Sequence, residues 1–150
     1  MKDVQRLVVG FAFSDDVTGV LLMTKNRPDW QKGLLNGIGG KIEDGETPAY
    51  AMSREAREEA GLELEWIHKG VMRGTNDDGS QFECHIFFTY DDAVYDFTQM
   101  EDEHLAIYHV NYIPDNIVPN LEFLIPYGTY CSRNEEEENI CSMMIMEYNN

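Results

Sequence analysis

Positive charge is scarce in this chain. Lys and Arg number 11 against 28 Asp and Glu, for a formal net charge of −17. Binding a long nucleic acid draws on dispersed Lys and Arg to neutralise phosphates, so the balance argues against a polymer as the usual partner. It leaves room for a small anionic substrate that arrives with a metal ion. Long apolar runs are missing too, and nothing approaches a membrane span. Residues 1–6 lead straight into a strand-like run without a signal-peptide pattern, so a cytoplasmic setting is expected. Cys84, Cys131 and Cys141 are odd in number and show no CxxC spacing, which fits reduced thiols in a cytosolic protein. His68, His85, His104 and His109 do not complete a zinc pattern with them. Repeats and low-complexity linkers are absent.

What remains is ordinary for a globular chain: 150 residues, 43% hydrophobic and 26% charged, enough for one domain spanning 1–150 with a real core. Residues 7–13 read as a buried strand and 20–23 as its return after the Asp15-Asp16 turn. A loop is expected over 27–40. Residues 64–71 read as a strand, 76–79 as a turn, 82–90 as a strand, 91–103 as an acidic loop and 106–110 as a short strand. A second helix is expected over 116–127, with Ile117, Leu121, Leu124 and Ile125 inward and Pro126 ending or kinking it. Residues 135–138 read as a solvated charge run, and 140–148 as a last strand or helix. This order suits helices set around a mixed, mainly antiparallel sheet.

The most informative stretch is 40–62, GKIEDGETPAYAMSREAREEAGL. Thr47 is placed to cap a helix, Pro48 suits its first position, and Gly61 can supply the left-handed residue that stops it. Ala49, Met52, Ala56 and Ala60 form a small apolar stripe for packing on a sheet. Glu55, Glu58 and Glu59 stand at i, i+3 and i+4 and share a face. Like charges there repel by a few tenths of a kcal/mol per pair, which a divalent cation would reverse. Arg54, four residues before Glu58, can hold it by charge-assisted hydrogen bonds. Taken alone, such a run also fits a solvated helix. The fixed spacing of Gly40, Glu46, Arg54-Glu55, Glu58-Glu59 and Gly61 does not arise so readily.

With those positions the segment resembles the Nudix box, Ala56 standing where the family has a larger aliphatic residue. The preceding 35–41, LNGIGGK, is similar to the approach to the box in MutT-type nucleoside triphosphate pyrophosphohydrolases. The resemblance implies an α/β/α sandwich. It also implies a site for magnesium, with manganese as substitute, formed by Glu55, Glu58, Glu59 and the Gly40 carbonyl. Magnesium keeps octahedral oxygen ligands and several waters, so a few carboxylates plus substrate phosphates suit it. The implied reaction is hydrolysis of a nucleoside triphosphate to the monophosphate and pyrophosphate. Glu55 or a loop glutamate, Glu101 or Glu103, would be the general base. Lys25, Arg27, Lys32, Lys41, Arg54 and Arg57 lie near or inside the box as candidates to balance phosphate charge.

Trp30 sits in a polar loop, and Asn36 follows it. In MutT-like enzymes acting on oxidised purine nucleotides an aromatic and then an asparagine hold the base in this region. Asn120 resembles a further base-contacting position, although Asn120-Leu121 replaces the adjacent acidic residues of some relatives. Alternatively, Trp30 covers a core edge and Asn36 is a turn residue. The proline that marks ADP-ribose hydrolases and the tyrosine that marks dinucleoside-polyphosphate hydrolases are missing beyond the box. The remaining alternatives are an RNA 5′-end or other nucleoside-diphosphate-X pyrophosphohydrolase, and a non-catalytic nucleotide-binding module. The apolar segment 139–150 could serve an interface.

Overall fold

The computed structural model describes residues 4–133 and 144–148. Among them an eight-stranded sheet runs in the order β3-β2-β1-β6-β5-β8, with β4 pairing β1 and β7 pairing β2. Strand β1 (Val4–Phe13) is the centre. It is flanked in parallel by β6 (Gln81–Tyr90) along its whole length. Its other edge is shared. β2 (Gly19–Thr24) takes the end at Ala12 and Phe13, and β4 (Ile38–Lys41) takes Leu7 to Gly10, both antiparallel. β3 (Leu35–Asn36) and β7 (Leu105–His109) pair β2 antiparallel. β5 (Ile67–Thr75) pairs β6 antiparallel, and β8 (Met144–Tyr148) pairs β5 in parallel. The sheet is therefore mixed and mainly antiparallel, as the sequence predicts.

Residues alternate between two cores. Val9, Phe11, Phe13, Ile86 and Phe88 face helix α2 (Leu121–Arg133). Val8, Ala12 and Phe87 face helix α1 (Pro48–Ala60). Both faces of β1 are covered, which is why its sequence is a continuous apolar run rather than an alternating one.

Several boundaries differ from the sequence expectation. The loop over 27–40 contains a one-turn helix, Asp29–Gln31, and the two short strands β3 and β4. Their Gly-rich sequence carries little strand propensity, and they form because β1 and β2 offer open edges. The 91–103 loop likewise contains a turn of helix, Asp92–Asp96. The strand expected over 64–71 runs Ile67–Thr75. The second helix begins at Leu121, leaving Ile117 outside, and continues through Pro126 to Arg133. An internal proline costs about 3 kcal/mol. Burial of Leu124, Ile125 and Cys131 against the sheet, at about 2 kcal/mol for each large apolar side chain, offsets it. In α1 the buried residues are Ala51, Met52, Ala56, Glu59 and Ala60; Ala49, in the first turn, is exposed. Residues 135–138 and 140–143 lie outside the described residues, and 144–148 form a strand. No helix among the described residues is long and apolar enough to cross a membrane.

Candidate active site

Helix α1 is fixed at both ends. Thr47 Oγ1 accepts the Tyr50 N–H at 3.1 Å, and Pro48 occupies the first turn. At the other end Gly61 adopts φ 65° and ψ 25°, its N–H donates to Arg57 O at 3.1 Å, and the Leu62 N–H reaches Ala56 O at 3.3 Å. The Gly61 bond is that of an αL C-cap, and its left-handed residue favours glycine. The helix packs along β4, so the Glu face lies against the Gly39-Gly40 backbone.

The three box glutamates are not equivalent. Glu59 is only 4% exposed, and its carboxylate accepts the Gly39 N–H at 2.8 Å. Burial, followed by the charge of Glu55, pushes its pKa up to about 8, against the Gly39 hydrogen bond and the charge of Lys25. Glu55 is largely buried, and burial raises its pKa against the opposing effect of Arg54. Glu58 stands on the rim with its side chain 51% exposed. The sequence places all three on one face; only packing decides that two of them turn into the protein.

Arg54 organises the rest. Its Nε and Nη2 donate to the two Glu46 oxygens at 2.7 and 2.9 Å. Nη1 donates to Glu55 at 3.0 Å and to Glu58 at 3.2 Å, the latter the predicted i, i+4 contact. Nη2 also reaches the Lys41 carbonyl at 3.0 Å. Glu46 in turn accepts the Glu43 N–H at 2.8 Å. The loop before the helix is thereby tied to the helix that carries the acids. This anchoring role of Glu46 has no local signal beyond its set distance from Arg54.

The loop glutamates separate. Glu103 is 4% exposed; its oxygens accept Lys25 Nζ at 3.2 Å and the Asn26 N–H at 2.6 Å. Glu101 is exposed, and its charge adds a minor upward push to the pKa of both Glu55 and Glu59. Gln99 holds this loop in shape, donating from Nε2 to Glu101 O and Glu103 O and accepting the Leu105 N–H. Sequence reasoning missed both Gln99 and the Lys25–Glu103 pair, because 78 positions separate the latter.

Among the described residues, no three Asp, Glu, His or Cys side chains are closed around a point as a metal cage. Glu55 is drawn to Arg54 and Glu59 to Gly39. The donor set nevertheless fits a hard cation. It is all oxygen, and burial followed by the charge of Glu55 raises the Glu59 pKa, a cost of the kind a divalent ion relieves. A Cβ at Gly40 would lie 2.5 Å from Glu55 Oε1, so a larger residue there would displace that carboxylate.

Of the residues predicted to bind substrate, Lys41 has an exposed side chain at the mouth of this loop. Trp30 is 63% exposed in the Asp29–Gln31 turn. Asn36, on β3, is engaged by Gln31 and Gly37. Asn120 immediately precedes α2; its Nδ2 lies 3.3 Å from Met72 Sδ, and its buried Oδ1 has no hydrogen-bond partner. Backbone bonds from Leu35 N to Asn116 O and from Val118 N to Leu35 O tie residues 116–118 to β3, whereas the Asn120 side chain reaches Met72 on β5. Leu121 is 1% exposed in the core and offers no polar group beside Asn120.

Comparison with known proteins agrees with this architecture. The NUDIX domain family model matches residues 4–120. The oxidized purine nucleoside triphosphate hydrolase of Danio rerio is 39% identical over 51 residues, 34% of this chain and 33% of that protein. The chain thus spans about a third of the length of the curated relatives it matches. A MutT NUDIX hydrolase from Burkholderia pseudomallei superposes with a TM-score of 0.69 at 18% identity, over 83% of this chain and 98% of that one. The MutT protein from Methanosarcina mazei Go1 does so with a TM-score of 0.66 at 15% identity, over 91% and 98%. At these identities the structures speak for the fold.

Proposed function

The chain belongs to the NUDIX family, and from that membership we propose that it is a pyrophosphohydrolase that cleaves a phosphoric anhydride in a nucleoside triphosphate, releasing the monophosphate and pyrophosphate. NUDIX hydrolases generally use divalent metals. Here Glu55, Glu58, Glu59 and the Gly40 carbonyl would hold the ion. Magnesium, or manganese in its place, supplies Lewis-acid neutralisation of the charge that grows on the phosphate oxygens.

The protein's own groups supply the positioning. Arg54 holds Glu55 and Glu58 in fixed orientation. Lys25, oriented by Glu103, adds positive charge beside Glu59 where an anionic substrate would lie. Glu101, an exposed carboxylate whose charge acts on Glu55 and Glu59, is the general base in this reading, with Glu55 as the alternative; it would accept the proton of the attacking water. Phosphoryl transfer asks mainly for such positioning and electrostatics. A purine base is the preferred occupant of the Trp30, Asn36 and Asn120 region. Asn36 supports it by presenting a donor and an acceptor, Asn120 by its unpartnered buried oxygen, and the Danio rerio relative by its name.

The observation that carries the reading is the pair Glu55 and Glu59, turned inward within electrostatic reach of each other beside Gly40. The test is a magnesium- or manganese-supplemented screen of ordinary, oxidised and methylated nucleotides with product identification. Pyrophosphate release from at least one is expected, and none from any would overturn the proposal. Glu58→Gln lowers turnover by orders of magnitude while the circular dichroism spectrum is kept. An unchanged rate would remove Glu58 from the site.

A further inference from the structure

Residues 99–103 lead into β7 without a ladder of their own. Among the described residues no backbone-to-backbone hydrogen bond reaches them. The nearest lie on either side, Thr98 N–H to Ala60 O at 2.9 Å and Thr24 N–H to His104 O at 2.8 Å. The Gln99 side chain closes the turn instead. Its Nε2 donates to the Glu101 and Glu103 carbonyls at 2.7 and 2.6 Å, and its Oε1 accepts the Leu105 N–H at 2.8 Å. An amide donates from nitrogen and accepts on oxygen. Turned over, this one would set an oxygen against two carbonyls and an NH2 against an N–H, so a single orientation serves.

The turn presents Glu103 to the end of β2. Its carboxylate, 4% exposed, accepts Lys25 Nζ at 3.2 Å and the Asn26 N–H at 2.6 Å. The Lys25 backbone is fixed as well, its N–H donating to Leu34 O and its carbonyl accepting the Gly33 N–H, each at 2.8 Å. The ammonium is thus held at both ends of its side chain, and its charge reaches Glu59, where it opposes the effect of burial. Gln99 stands two contacts from Lys25 and touches neither it nor any box glutamate.

We infer that Gln99 is a positioning residue for Lys25. By folding the 101–105 turn around its amide it fixes Glu103, and through Glu103 it holds the Lys25 ammonium beside the box glutamates to meet the charge of the substrate's phosphates. The inference rests on the hydrolase reading of the box. Without the turn Lys25 keeps its charge but loses its place, and each binding event must order the side chain again.

The test is a double-mutant cycle on the triphosphate turned over fastest in the screen above, in the unaltered chain, Gln99→Met, Lys25→Met and the double variant. Methionine keeps the length of Gln99 and removes all three bonds. Lys25→Met raises KM by about tenfold or more, the worth of a hydrogen bond to a charged group. Gln99→Met raises it in the same direction by about threefold or more, with kcat within about twofold, because a placed cation meets phosphate in ground and transition states alike. The double variant matches Lys25→Met within about twofold, since Gln99 has nothing left to position. Where Gln99→Met does not fold, Gln99→Asn replaces it; it keeps the amide and loses its reach, with the same expected pattern. A KM unchanged by the Gln99 substitution overturns the inference. So does a double variant whose KM rises by the product of the two single effects, which would mark a folding role independent of Lys25. Failure of the hydrolase reading is a separate result, absence of turnover in the unaltered chain. The same cycle is then read from calorimetric affinities for adenosine and guanosine triphosphates with magnesium present, and absence of binding there overturns the inference too.

Discussion

His68 and His85 illustrate what single side chains contribute away from the active site. His68 Nε2 and His85 Nδ1 lie 2.9 Å apart, and the His68 ring stacks on Phe87 with centroids 4.7 Å apart. Such a contact requires one nitrogen to donate and the other to accept, so the pair cannot be doubly protonated and keep it. Glu83, Arg6 and Arg73 are the charged groups facing His85; Glu83 favours its protonation and the two arginines oppose it. Burial is the larger effect and lowers both pKa values below the ordinary 6.5. The unfolded chain therefore takes up protons first as pH falls. The stability held by the pair is complete above pH 6.5 and is lost as pH drops through that value toward the folded pKa values. Tm measured from about pH 7.5 to about 5.5 should fall more steeply for the natural chain than for His85→Gln. Parallel profiles would contradict this assignment. Comparing the two proteins matters, because Glu59, with its pKa raised to about 8, contributes in the opposite direction over part of the range.

At the scale of elements, α1 was the most legible part of the chain. Its cap, first-turn proline and terminal glycine are local devices that need no tertiary partner to be recognised. Gly61→Ala places a Cβ where the nearest atom, Thr98 Cβ, is an ordinary 3.4 Å away. The penalty is thus conformational, about 1 kcal/mol for a non-glycine residue in the left-handed region. Urea unfolding should show a lower midpoint with an unchanged slope; an unchanged midpoint would mean that the cap carries no stability. The strands β3 and β4 were not legible, since they exist only because edges of β1 and β2 stand open beside them. α2 was half legible. Its inward Leu121 and Leu124 follow the helical period, whereas its passage through Pro126 depends on burial that no local pattern displays.

At the scale of the whole molecule, 28 acidic residues against 11 basic ones leave a self-repelling surface. Net charge far from zero opposes the compact state, and salt screens it. Raising sodium chloride from about 10 mM to about 300 mM shortens the Debye length from about 30 Å to under 10 Å, and should raise Tm. A Tm that falls would indicate that local ion pairs such as Arg54–Glu46 outweigh the general repulsion. Among the few basic groups, Lys25 pairs with Glu103, and Arg54 with Glu46 and Glu55.

The order of residues in 40–62 determined by itself that a capped helix would carry Glu55, Glu58 and Glu59 on one face, because helical period and cap chemistry act over a few residues. The alternating and continuous apolar runs likewise determined a mixed sheet between helices. Only the tertiary structure decided that Glu59 is buried against Gly39 while Glu58 stays in solvent, that Glu103 is bound to Lys25 while Glu101 stays exposed, and that Gln31 bonds to Asn36. Those outcomes depend on which surfaces α1, β4 and the 99–105 loop bury against one another. Burial and electrostatics act through space, between residues whose separation along the chain carries no trace of their contact.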